Sequence, residues 1–261
     1  PIMILSHNRT YLYRLKRIIV VFFSAFLFPK IRSKNFRKAF LSHGIGRLKI
    51  TGKNNRVILV KDNQEIPLTF GLAGLTLTID GDNNVVKIGY PWHFEHTVLS
   101  ITGNGNTFSV ESCLMGIKRS RFELAGGSQI IIGKNFGISG SAYFNIGEEN
   151  NMSLHIGDDV IFSYNTVVRT SDSHTIYDSN THQILNYGQD IVIGNHVWIC
   201  EGAALLKGTR IADNCVIGTK SVVNRAFPES GIIIAGIPAR VVKTGINWDI
   251  KSIPLFQEEN K

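Results

Sequence analysis

Every sixth residue from Ile193 onward is aliphatic, through Ile199, Leu205, Ile211, Ile217 and Val223. A stride of six matches neither the 3.6-residue turn of an α-helix nor the two-residue alternation of an ordinary strand, and it is the mark of a stacked solenoid. The fourth residue after each of the first five is Val197, Ala203, Thr209, Cys215 and Ser221, all small enough for the corner of a tight coil. Three strides make one triangular turn. Each flat side then stacks on the same side of the next turn at about 4.8 Å, so that backbone groups pair as in a parallel sheet.

The stride extends upstream through Ile132, Ile138, Phe144, Asn150, Ile156, Phe162 and Val168 to His174, with Asn150 the one break before the histidine. Ile193 then follows out of phase. Residues 175–190, rich in Asn, Asp, Ser and Tyr, are expected to form a loop thrown out of the coil, with His174 at the last coil position before it. Ahead of these rows lies a looser repeat: Gly52-Lys53-Asn54-Asn55, Gly81-Asp82-Asn83-Asn84 and Gly103-Asn104-Gly105-Asn106 each precede a β-branched strand, and Gly126-Gly127-Ser128-Gln129 is a degenerate fourth copy. Gly and Asn tolerate positive φ, and stacked Asn amides can bond along the axis, so irregular early coils of the same stack are expected at 47–131. The regular rows occupy 132–225, and a C-terminal cap and tail follow at 226–261. The fold class is therefore an all-β parallel β-helix.

Composition changes the picture at one end only. The formal charge is +8. Residues 1–49, however, hold eleven Lys and Arg and no Asp or Glu, so the remainder nets −3. In this arm, assigned to residues 1–46 and expected to be helical, the run Ile18 to Phe28 (IIVVFFSAFLF) is flanked by cations. It is shorter than the roughly twenty residues of a membrane-spanning helix. No A-x-A cleavage site follows it, so a secretory signal is not expected. The two readings are an interfacial anchor on an anionic membrane and a cap on the end of the solenoid. A nucleic-acid partner is not expected, because no stacking platform accompanies the bases. Cys113, Cys200 and Cys215 lack CxxC spacing and read as reduced packing residues of a cytoplasmic protein. Four scattered histidines, His155, His174, His182 and His196, do not make a recognisable zinc spacing, and no metal is expected.

Three ordered blocks carry a family resemblance: TSDSHTIYD (170–178), DIVIGNHVWIC (190–200) and AGIPARVVK (235–243). Over roughly residues 130–248 the chain resembles the hexapeptide-repeat, left-handed β-helix acyltransferases, in particular those that acetylate sugars and surface polysaccharides. The left hand comes from this resemblance alone, since parallel crossovers are generally right-handed. The resemblance implies that His174, twenty-four residues before Trp198, is the general base that takes the proton of a sugar hydroxyl. Asp172 is the candidate to orient its ring. Trp198 is implied to border the acyl donor, and the backbone N–H near Glu201 to stabilise the oxyanion. Cys200 stands where the family commonly has glycine, which leaves that geometry open. Thr219, Lys220, Arg225, Arg240 and Lys243 match the segment that binds acetyl-CoA. A homotrimer with its active site between subunits is implied as well. Two alternatives stay open: an N-acetyltransferase acting on a nucleotide-linked amino sugar, and a non-catalytic solenoid scaffold.

Overall fold

Strands only two to six residues long, separated by tight corners, wind the chain into a triangular prism with a parallel sheet on each face. The computed structural model describes residues 46–259, so the arm, but for Gly46, lies outside the described residues. Eight strands stack on face 1, from Arg47–Thr51 to Val222–Val223. Face 2 runs from Arg56–Lys61 to Ala226–Phe227, and face 3 from Phe94–Glu95 to Ile233–Gly236. A coil is one circuit of the three faces. Eight start on face 1, and the sixth starts with Thr166–Arg169.

The inward rows follow the aliphatic stride. Phe144, Val168, Leu205 and Val223 stand in register on face 1, Ile156, Ile193 and Ile211 on face 2, and Phe162, Ile199 and Ile217 on face 3. All are buried, as are the corner residues Val197, Ala203, Thr209, Cys215 and Ser221. Each such large side chain contributes about 1.5–3 kcal/mol through burial. The middle of the prism is filled by phenylalanines. Phe122 stacks on Phe144 at 4.4 Å, and Phe144 meets Phe162 edge-on at 5.3 Å.

The corner between faces 1 and 2 explains the loose early repeat. Asn84 donates its amide to the Asn55 side-chain oxygen at 3.0 Å and to the Gly103 carbonyl at 3.0 Å. Its own oxygen accepts the backbone and side-chain N–H groups of Asn106, both at 2.9 Å. The ladder passes to the Ser128 N–H through Asn106, and Ser128 Oγ then accepts the N–H of Met152. Gly81 sits at φ +138°, and a Cβ there would fall 2.1 Å from the carbonyl oxygen of Gly103 in the next coil.

Asn150 is not an inward coil position. Phe144 on face 1 and Ile156 on face 2 are twelve residues apart, against ten for Phe122 and Ile132 one coil earlier. The corner that follows Ile146 is thus two residues longer than the one before it, and Asn150 is exposed in it. Because twelve is a multiple of six, the stride survived a corner that the pattern alone did not reveal. The N–H of Asn151 pairs with the carbonyl of Gly126 and that of Met152 with Ser128, which leaves Glu148 and Glu149 as the two residues extra to this corner.

Past Val223 the stack continues for one more pair of strands, Ala226–Phe227 and Ile233–Gly236, so part of the expected cap is itself coil. Antiparallel strands close the ends. Gln64–Pro67 folds back on face 2 at the first coil, and Ala239–Lys243, the GIPAR block, folds back on face 3 at the last. A seven-residue helix, Ile253–Glu259, is the one helix among the described residues.

Candidate active site

The excursion from the coil is longer than the sequence pattern indicates. Face 1 of the sixth coil ends at Arg169 and face 2 resumes at Ile191. His174 therefore lies on the loop, exposed, and not at a coil position. A hydrogen bond from the Gln189 N–H to the Thr170 carbonyl at 3.0 Å closes the loop's neck. Its outer part is a small hairpin with Tyr177 opposite Ile184, and Asp178 caps the turn by accepting the N–H groups of Asn180 and Thr181.

The two extra corner residues grip both limbs of this loop. Glu148 accepts hydrogen bonds from Asn145 Nδ2 at 2.9 Å and Ser171 Oγ at 3.4 Å, and lies 3.5 Å from the Arg169 guanidinium on the outgoing limb. Glu149 accepts the Gly188 N–H at 2.6 Å on the returning limb. Between corner and loop opens a cleft of about 250 Å³. Glu148, Glu149, Ser173, His174, Asn186 and Tyr187 are among its walls, and no Lys or Arg among the described residues lines it.

Asp172 does not orient the His174 ring. Residues i and i+2 share a face only in extended chain, and Ser173 between them is left-handed, with φ +71°. The Asp172 carboxylate instead accepts Lys207 Nζ at 2.5 Å and Asn186 Nδ2 at 3.1 Å. Hydrogen bonding from Lys207, then from Asn186, holds its pKa below the ordinary carboxylate value. Asn186 also donates to the His174 carbonyl at 2.8 Å, and Lys207 to the Asn186 carbonyl at 2.8 Å. Asp172 thus anchors the backbone that carries the histidine.

The residues implied for the donor do not all gather in one chain. Trp198 lies outward on face 3, 38% exposed, its indole N–H donating to Ser163 Oγ at 3.2 Å. Glu201 follows at the corner between faces 3 and 1, and its carbonyl accepts the Lys220 N–H at 2.8 Å from the next coil, with Thr219 beside it. Arg240 is exposed on the antiparallel strand of face 3. Arg225 lies at the opposite corner of face 1, over the ring of Phe227, and Lys243 pairs with Ile233 at the far end of face 3. His174 is thus carried by the corner between faces 1 and 2, and Trp198 by face 3.

Cys200 fits the turn that carries Glu201. The Ala203 N–H bonds back to the Cys200 carbonyl at 3.3 Å, with Gly202 at φ +69°, which is the turn that requires glycine at its third residue and not at its first. No described group accepts the Glu201 N–H.

Two features were missed in the sequence. Trp248 packs tilted against His196 at 4.4 Å and lies 5.9 Å from Trp198, and its indole N–H donates to the His196 carbonyl at 2.9 Å. The Glu148–Glu149 grip was hidden behind the Asn150 coincidence, because a two-residue insertion leaves a stride of six intact. Among the described residues no group of three or more His, Cys, Asp or Glu is arranged to hold a metal.

A triangular parallel β-helix carrying a histidine on an ejected loop and an outward tryptophan beside a free N–H defines the class of left-handed β-helix acyltransferases. The family model for bacterial transferase hexapeptides (six repeats) matches residues 190–225. The polysialic acid O-acetyltransferase of Neisseria meningitidis is 32% identical over 177 residues, 67% of this chain and 80% of that protein. The galactoside O-acetyltransferase of Escherichia coli K12 is 33% identical over 117 residues, 45% of this chain. The chain spans 55% of that relative and 38% of the polysialic acid O-acetyltransferase of Escherichia coli O1:K1. Among solved structures, the polysialic acid O-acetyltransferase OatWY superposes with a TM-score of 0.63 at 25% identity, over 80% of this chain and 98% of that one. The polySia-specific acetyltransferase NeuO shares the fold at a TM-score of 0.65 and 20% identity, over 83% and 99%. The chain belongs to the hexapeptide-repeat sugar O-acetyltransferase family.

Proposed function

We propose that this protein transfers acetyl from acetyl-CoA to a hydroxyl of a surface polysaccharide or its precursor. The observation that carries the reading is His174 itself, an exposed imidazole with no hydrogen-bond partner among the described residues, held in a cleft by a loop anchored at three points. Neutral imidazole takes a hydroxyl proton near pH 7. The acceptor oxygen attacks the thioester carbonyl while His174 removes its proton. The Glu201 N–H stabilises the oxyanion. The intermediate then collapses with C–S cleavage, and the proton passes from His174 to the departing thiolate. No covalent acyl-enzyme is needed.

Trp198, Glu201, Thr219, Lys220 and Arg240 form the donor side, with Arg225 and Lys243 contributing from neighbouring corners. Since His174 is carried by the corner between faces 1 and 2 and Trp198 by face 3, the complete site forms where the loop of one subunit meets face 3 of another in a homotrimer. The reaction is placed in the cytoplasm, with the basic arm at the inner membrane surface. The polysialic acid and galactoside named for the relatives favour hydroxyl over amine acceptors.

Release of free thiol from acetyl-CoA, followed with purified protein and a panel of sugar, amino-sugar and polysaccharide acceptors, tests the reading. Acceptor-dependent thiol release with hydroxyl acceptors is expected. Release with amino sugars alone would move the chemistry to nitrogen, and none with any acceptor would leave a scaffold.

A further inference from the structure

We infer that the acceptor subsite selects an uncharged sugar over a polyanionic one, with Glu148 and Glu149 as the specificity-determining residues. The inference rests on the reading of the His174 cleft as the acceptor side of the site. Both carboxylates line that cleft. Neither is free to swing away, because Glu148 is held by Asn145 and Ser171 and Glu149 by the Gly188 N–H. Fixed negative charge therefore faces whatever enters.

Arg169 offsets Glu148 only in part, and Glu149 makes no ion pair among the described residues. Arg169 is engaged with Glu148 and Ser173, Lys207 with Asp172 and the Asn186 carbonyl, and neither lines the cleft. An anionic sugar carboxylate entering here meets like charge, with no guanidinium among the described lining residues to pair with. A neutral sugar meets the opposite situation. Carboxylate oxygens accept hydrogen bonds from sugar hydroxyls, the Ser173 hydroxyl supplies a donor, and exposed Tyr187 and Ile184 give the C–H face of a pyranose an apolar wall. Glu148 and Glu149 are also the two residues by which this corner exceeds the preceding one, so the charge was added to the stack without altering its core.

The experiment is equilibrium binding to the full-length His174→Ala protein, which holds acceptor without turnover. A neutral glucan oligosaccharide and a sialic acid oligomer of equal length are titrated at several salt concentrations. The neutral oligomer is expected to bind at least about tenfold tighter at low salt, with affinity insensitive to salt, while the acidic oligomer strengthens as salt screens the repulsion. Glu148→Gln and Glu149→Gln, which keep an acceptor oxygen and remove the charge, are expected to narrow the gap severalfold. An acidic oligomer that binds as tightly or tighter and weakens with added salt overturns the inference, as does a protein that binds neither. Loss of thiol release with every acceptor, alongside an intact neutral preference in binding, would count against the acetyltransferase reading and not against the subsite.

Discussion

At the scale of single residues, His174 is separable from the fold because it stands on an exposed loop and packs into no row. His174→Ala is expected to lower turnover by about 10²- to 10⁴-fold. Its thermal melt and its affinity for acetyl-CoA should match wild type, and retention of more than a tenth of the activity would remove the histidine from its role. The cysteines behave in the opposite way. Burial pushes the thiols of Cys113 and Cys200 up to about 11. An unfolded thiol titrates near 8.5, so the folded state holds these protons more tightly. The stability this provides is complete below about pH 8.5 and is lost as pH rises toward about 11. Urea midpoints measured from pH 7 to 10.5 should fall across that window, and Cys→Ser variants at 113 and 200 should flatten the fall. Native protein should also resist alkylation at pH 8, since the thiolate is the reactive form.

At the scale of elements, the corner ladder and the loop grip give two measurements. Asn84→Ala removes four hydrogen bonds at once and leaves the N–H of buried Asn106 and the Gly103 carbonyl short of partners. It is expected to cost about 2–4 kcal/mol in urea unfolding. Gly188→Ala acts mainly on the loop. A Cβ there would lie 2.9 Å from Met152 Sδ and 3.0 Å from the Thr170 carbonyl, so the returning limb must shift away from Glu149. Turnover is expected to drop about 10- to 100-fold with the melting temperature within a degree or two, because small displacements of a catalytic group are costly. A loss of stability without loss of turnover would show that the grip serves the coil and not the loop. The stride of six was legible because a stacked coil repeats one local environment, so the rows through Ile193, Ile199 and Leu205 could be read directly. The Asn ladder was legible for the same reason, through repeated G-x-x-N. Asp172 was misread because pairing in a loop depends on one backbone angle, at Ser173, that no periodicity encodes. Trp248 was invisible because its contact with His196 joins segments fifty-two residues apart without any repeat between them.

At the scale of the whole molecule, the arm and the prism are chemically distinct. The arm's cations surround an apolar run, whereas the rest of the chain is slightly acidic. Deleting residues 1–40 is expected to abolish sedimentation with anionic vesicles and leave an active trimer, and binding of the intact protein should fall steeply with salt. A deletion that dissolves the trimer, with full-length protein ignoring vesicles, would make the arm a cap.

The two closing strands, Gln64–Pro67 and Ala239–Lys243, lie on different faces of the prism. Among the described residues, each reversed strand ends the parallel ladder of its own face, so a second copy set squarely on that end could not continue it there. Lateral contact among the long faces is then the route of association the shape leaves open, and a closed ring of such contacts has a fixed number of members where a column would have none.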